Sequence, residues 1–316
     1  MVYGVLFALV FGNALLFAAP QLPNDQLTVA AEYYYSKYDY RQSLGLWNDI
    51  LKQSPANLQA LFRLAELRLL FTGRDASKET ILGYLRTYGQ KISPDTRKAI
   101  RQKLVSLQSI FLTETGQSLF LAGTSKAKQN DCPSATALLN QAIQHEGNHP
   151  DLLWERAKCE KLMSQYDKFY ETLKLAFESN PLDSHILDSL SEAAVFFRDY
   201  PLVISLLKDS PPENETPIQK TALAIALQEK GEYTTAIEKW QHLLEQQKNN
   251  GVHPIVFFKM GQALVQQRNN SLEAVTFLER FLSSAKQKEN CLVGGWDPFH
   301  TEEYLPAAEK MLAALQ

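Results

Sequence analysis

Lys230-Gly231-Glu232-Tyr233-Thr234-Thr235-Ala236-Ile237-Glu238-Lys239-Trp240 carries the clearest structural signal in this chain. A Gly-acidic-Tyr turn is followed three residues later by a small residue and, four beyond that, by an aromatic. Upstream, Leu223, Ala224 and Leu227 recur at helical spacing, and downstream Leu243 and Leu244 continue the stripe that Ala236 and Trp240 begin. The pattern predicts a helix, a tight turn and a second helix. The small residues allow the two helices to cross closely, and the aromatic fills the gap between one hairpin and the next.

An earlier copy has Ala30, Ala31 and Tyr34, the turn Tyr38-Asp39-Tyr40, then Ser43, Leu44, Trp47, Ile50 and Leu51. Pro55 comes just past the second helix, where it stops a helix without removing a hydrogen bond. A third runs through Leu153, Ala157, Ser164-Gln165-Tyr166, Leu173, Ala176, Phe177 and Pro181. A fourth has Leu187, Leu190, Ala194, Arg198-Asp199-Tyr200, Val203, Ile204 and Leu207. Weaker hairpins run through Leu61 to Tyr88, Phe120 to Ile143, and Phe258 to Leu282, the last with Asn269-Asn270-Ser271 as its turn.

These residues resemble the tetratricopeptide repeat family over most of Asn24 to Ser284. The resemblance implies an all-α solenoid of stacked antiparallel hairpins of about 34 residues each. It also implies a concave groove lined by the first helix of every hairpin. The chain departs from the pattern in places. Thr72 to Asp75 replaces the usual turn, and Ser93-Pro94-Asp95 opens an extra helix, Thr96 to Phe111, with Ser93 as N-cap and Pro94 in the first helical position. Ser210 to Pro217 is a Pro- and Glu-rich connection, and Gly294 to Thr301 reads as a turn leading to a capping helix, Glu302 to Leu315. The organisation expected is 1–18 export segment, 24–112 hairpins plus the extra helix, 113–209 central repeats, and 217–316 last repeats and cap.

At 316 residues, 45% hydrophobic, 21% charged and with net charge -3, the chain has no basic stripe to argue for nucleic acid. Met1 to Ala19 is almost unbroken apolar sequence, followed by the polar Pro20 to Asp25. It reads as a secretory signal with a cleavage zone at Phe17-Ala18-Ala19. Its lack of a basic residue leaves a retained membrane anchor or a buried N-terminal helix as alternatives, and all but the last place the body outside the cytoplasm. Of the three cysteines, Cys132 and Cys159 fall on helices that run antiparallel as neighbours, so they could bridge or lie as separate buried thiols.

His145-Glu146-Gly147-Asn148-His149 matches the HExxH pattern of zinc hydrolases. That chemistry needs one unbroken helix through both histidines, whereas Gly147, Asn148 and Pro150 predict a connection between hairpins. No other catalytic signature appears and no cofactor is implied. The expected binding face consists of first-helix positions lying between the packing positions: Glu32, Tyr35, Phe62, Glu66, Trp154, Lys158, Lys161, Asp188, Glu192, Thr221, Ile225 and Gln228. Tyr33 and Tyr34 are expected to pack between hairpins instead. The function expected is a non-catalytic scaffold or adaptor in the cell envelope or periplasm, holding a peptide or partner protein. A self-assembling solenoid and a zinc hydrolase are the alternatives.

Overall fold

The computed structural model describes residues 23–208, 215–246, 252–267, 271–292 and 296–316. The proposed export segment, most of the Ser210–Pro217 connection and the Asn269-Asn270 turn lie outside them. The described residues form helices and their connections, and none of these helices is long and apolar enough to cross a membrane. Contacts divide the chain between Ile92 and Ser93. The first unit holds α1 (Asn24–Ser36), α2 (Tyr40–Gln53), α3 (Leu58–Thr72) and α4 (Arg74–Tyr88). The second begins with α5 (Pro94–Gln108), the extra helix, which therefore groups with the later helices. It continues with α6 (Glu114–Lys128), α7 (Cys132–Glu146), α8 (Pro150–Leu162), α9 (Tyr166–Ser179), α10 (Ser184–Phe196) and α11 (Tyr200–Leu207). After these come α12 (Pro217–Glu229), α13 (Tyr233–Gln246), α14 (Pro254–Gln266), α15 (Ser271–Ala285) and α16 (Leu305–Leu315). Both units are stacks of tetratricopeptide-like hairpins.

One turn is used again and again. After the first helix comes a residue in the left-handed region: Tyr38, Asn130, Ser164, Arg198 or Gly231. The next residue's N–H reaches back to a carbonyl in the helix's last turn, as from Asp39 to Tyr34, Asp131 to Lys126, Gln165 to Glu160, Asp199 to Ala194 and Glu232 to Leu227. This is the Schellman closure of a helix C-terminus. The residue that makes it also starts the second helix, and Asp39, Asp131 and Asp199 accept a side-chain cap bond there. The acidic position in the turn motif is thus an N-cap, and the position before it is the left-handed residue. At the variant turn, Gly73 with φ 98° closes α3 and opens α4 by itself.

Within a hairpin the two helices cross at small residues. Ser43 lies 12 residues after Ala31 and its hydroxyl donates to the Ala31 carbonyl at 3.0 Å. The same spacing joins Ala65 to Ser77, Gly123 to Ala135 and Ala224 to Ala236, all buried. Four residues beyond Ser43 and Ala236 stand Trp47 and Trp240, both with no exposed surface. A Cβ on Gly123 would stand 3.0 Å from Leu139, and one on Gly261 3.0 Å from Leu278. Gly45, in α2, has open space instead. Gly123→Val is expected to lower stability by about 1–3 kcal/mol through overpacking. Gly45→Ala should raise it by roughly 0.5–1 kcal/mol through helix propensity. Urea unfolding of the two variants checks this, and equal, near-zero effects would contradict close crossing at Gly123.

Candidate functional site

The HExxH pentapeptide resolves into three structural roles. Glu146 ends α7, buried, and accepts from Leu112 N (2.9 Å), Thr113 N (2.7 Å) and Thr113 Oγ1 (2.6 Å), so it holds the start of α6. Gly147 turns with φ 69°. His149 is the extended N-cap of α8, its Nδ1 accepting from Asp151 N, with its ring stacked on Phe111 at 4.1 Å. His145 stays on the exposed end of α7. The helix breaks between the two histidines, and among the described residues no group of three His, Cys, Asp or Glu side chains is placed to hold a metal.

In the first unit, Glu32 on α1 and Glu66 on α3 are drawn together by Arg63. Arg63 Nε donates to Glu32 Oε1 at 3.2 Å and Nη1 to Glu66 Oε2 at 3.1 Å. Gln59 also donates to Glu32, and the guanidinium lies 4.8 Å from the centre of the Tyr35 ring. Burial alone would lower the Arg63 pKa; the carboxylates, Glu66 ahead of Glu32, outweigh it and hold it above its usual value. All three charged side chains stay 24–34% exposed, so the cluster is open to solvent. Arg63 was absent from the sequence-derived face, although an Arg between two carboxylates on adjoining first helices is the signal that would have found it. Phe62 is half-buried, and Tyr33 is 57% exposed rather than packed between hairpins.

The second unit treats its predicted residues differently. Trp154 packs partly against Leu153, Ala176 and Ile186, and keeps the Lys158 ammonium 5.7 Å from its ring centre. Asp188 is taken up by Thr216 Oγ1 (2.7 Å) and Gln219 Nε2 (2.6 Å), and burial raises its pKa. Gln228 faces inward and is 3% exposed: its amide donates to Lys259 O and Gln262 Oε1, and its carbonyl accepts from Trp240 Nε1. Thr221 and Ile225 are buried beside it. Gln228 is therefore corrected from a binding position to a strut between α12, α13 and α14.

Lys161 and Glu192 meet a feature the sequence did not show. The segment from Trp296 to Tyr304, read as a turn as far as Thr301 and then as the start of the capping helix, lies against α8, α9, α10 and α14, and α16 itself begins at Leu305. Trp296 is 5% exposed, stacks on Tyr166 at 5.6 Å, meets Phe169 edge-on at 5.5 Å and Phe196 at 5.1 Å, and has Lys161 Nζ 4.5 Å from its ring. Its indole N–H faces the Glu192 carboxylate without reaching a formed hydrogen bond. Burial raises the Glu192 pKa to about 7, opposed by Lys161 and reinforced by Asp188; burial lowers that of Lys161. Cys132 and Cys159 do come together, packed with Ala135, as free thiols. Burial, then the neighbouring Cys132, pushes the Cys159 thiol up to about 12.

No protein-family model matches the chain, and no curated protein does. Among solved structures it is similar to YrrB, described as a TPR protein with an unusual peptide-binding site, at 13% identity and TM-score 0.46 over 58% of this chain and 90% of that one. It is also similar to MamA of Desulfovibrio magneticus RS-1, at 12% identity and TM-score 0.45 over 56% and 97% of the two chains. Likenesses at these values add nothing to what the hairpins themselves establish.

Glu146→Ala should cost about 2–3 kcal/mol by orphaning the donors at the start of α6, while exposed His145→Ala should be near neutral; comparable losses in thermal stability would contradict the capping role. The Glu192 carboxyl is raised above its usual 4.5 to about 7. The folded chain therefore keeps a proton that the unfolded chain has released, and this contribution fades as pH rises between those values. The melting temperature of the parent should fall relative to Glu192→Gln across that window and run parallel to it above; parallel curves throughout would contradict the burial.

Proposed function

We propose that this protein is a non-catalytic adaptor that holds a peptide or partner protein against the first helices of its hairpins, in the cell envelope. The observation that carries the reading is the open Glu32–Arg63–Glu66 cluster beside Tyr35, four side chains of neighbouring first helices assembled into one accessible patch. Its chemistry suits a partner that presents both a hydrogen-bonding polar group and an apolar face, since Arg beside an aromatic ring is the kind of anchor on which protein interfaces concentrate their energy. Glu146 and His149 of the HExxH pentapeptide each hold the start of a helix, which supports the non-catalytic reading. The envelope placement rests on the apolar sequence of Met1 to Ala19.

The test is recovery of partners from envelope extract by the parent and by Tyr35→Ala, Arg63→Ala, both folded by circular dichroism. The reading expects a band lost or reduced at least about tenfold in the variant, the scale of removing an interface anchor. Equal recovery would remove this patch from the account. Fusing Met1 to Asp25 to alkaline phosphatase, active only after export, is expected to yield activity; an inactive fusion would sink the envelope placement.

A further inference from the structure

A first helix that lines an open groove keeps an exposed stripe, because one of its faces meets water. In the first unit α1 and α3 do so, with Val29 71% exposed and Leu70 57%. In the second unit α12 is buried without a break from Gln219 to Gln228, and α14 from Pro254 to Gly261. Both faces of these helices are covered. On one side lie their own hairpin partners. Beyond these, α12 packs against α10 and α11, and α14 meets the chain's Trp296–Tyr304 segment.

That segment touches α8, α9, α10 and α14. Trp296 sits over Lys161 of α8 and beside Phe196 of α10. His300 stacks on Phe196 at 4.5 Å with Nε2 3.0 Å from the Phe196 carbonyl, and Glu303 reaches Arg198 at 3.2 Å. Phe299 meets the edge of His253, the N-cap of α14, and Tyr304 stacks near Phe258 and under the Lys259 ammonium. Asp297 folds the segment on itself, accepting from Phe299 N, Thr301 N and Thr301 Oγ1. It is a short, self-turned peptide with its aromatic side chains inserted into the hairpins. Beneath Trp296, Glu192 is 3% exposed and its Oε1 has no hydrogen-bond partner. The indole N–H lies close enough to act on the Glu192 carboxylate, so the floor of the pocket offers an acceptor to an indole.

We propose that residues 296–304 are a self-ligand: they occupy a peptide site built by first helices of the second unit together with the start of α9, and a partner segment carrying an indole followed by an acidic residue takes their place. The aromatic walls Tyr166, Phe169 and Phe196 with the Lys161 cation select the indole. Glu192 favours Trp over Phe, because only the indole offers a donor. The tethered segment competes at an effective concentration of roughly millimolar, so the site is closed to weak ligands and opens to a partner that pairs with Glu192. This deepens the adaptor reading and rests on it for the second unit.

The experiment has two arms on the full chain. In the first, hydrogen exchange of the parent is followed by mass spectrometry. Amides of 296–304 are expected to exchange through a local opening while those of α12 and α14 remain protected. Exchange of all three at one rate makes the segment a fixed part of the core and overturns the proposal, leaving the adaptor reading intact. In the second, a fluorescein-labelled peptide of sequence Trp-Asp-Pro-Phe-His-Thr-Glu-Glu-Tyr is titrated into the parent and into Trp296→Ala, Phe299→Ala. Binding at least about tenfold tighter to the emptied variant is expected, lost again when Phe196→Ala is added, and weaker for the peptide carrying Phe in place of Trp. Equal affinity for parent and variant places the peptide elsewhere and overturns the proposal. No binding to a folded variant overturns it and also removes the second unit's first helices from the adaptor reading. Should the variant not fold, the exchange arm decides alone.

Discussion

Close crossing of the two helices inside each hairpin governs the rest of this molecule. A hydroxyl-to-carbonyl bond such as Ser43 to Ala31 forms only when two helix backbones nearly touch. Small residues on both sides permit that approach, and Trp47 and Trp240 then have room to fill the space toward the next hairpin. Side chains on the remaining face of the first helix are left to act on whatever lies there. Where that face stays open, as around Arg63, it carries an accessible charged and aromatic patch. Where it is covered, as on α12 and α14, the same positions become struts and pocket floors.

The hairpins were legible because their signals are local. A left-handed residue, an acidic N-cap and an aromatic opening the second helix stand next to one another in sequence, and each has its own physical reason. Ser93 as a cap, Pro94 behind it and the break in the HExxH pentapeptide were legible for the same cause. Tyr38, Ser164 and Arg198 occupy the position where Gly231 is the natural occupant, so the motif survived reading through its neighbours rather than through glycine.

The site was legible only in part. Glu32, Tyr35 and Glu66 gather around Arg63, a residue that the sequence reading passed over. Gln228 has the spacing of a groove residue, but α14 packs over it and consumes its amide. The largest omission is Trp296. Around it, paired glycines and a proline dominate the local pattern and read as a turn. Its partners Lys161, Tyr166 and Phe196 lie more than a hundred residues upstream, or nearly so, and His300 reaches Phe196 across 104 residues. Long-range insertion of a few aromatic side chains leaves no periodic trace in sequence.

The adaptor reading requires that partners bind the first helices and not the second. A photo-reactive phenylalanine analogue placed at Tyr35 or Trp154, on first helices, or at Glu238, on the second helix α13, tests it in intact cells. Cross-linked adducts from Tyr35 or Trp154 with none from Glu238 are expected. Adducts from Glu238 with none from the first-helix positions would refute it.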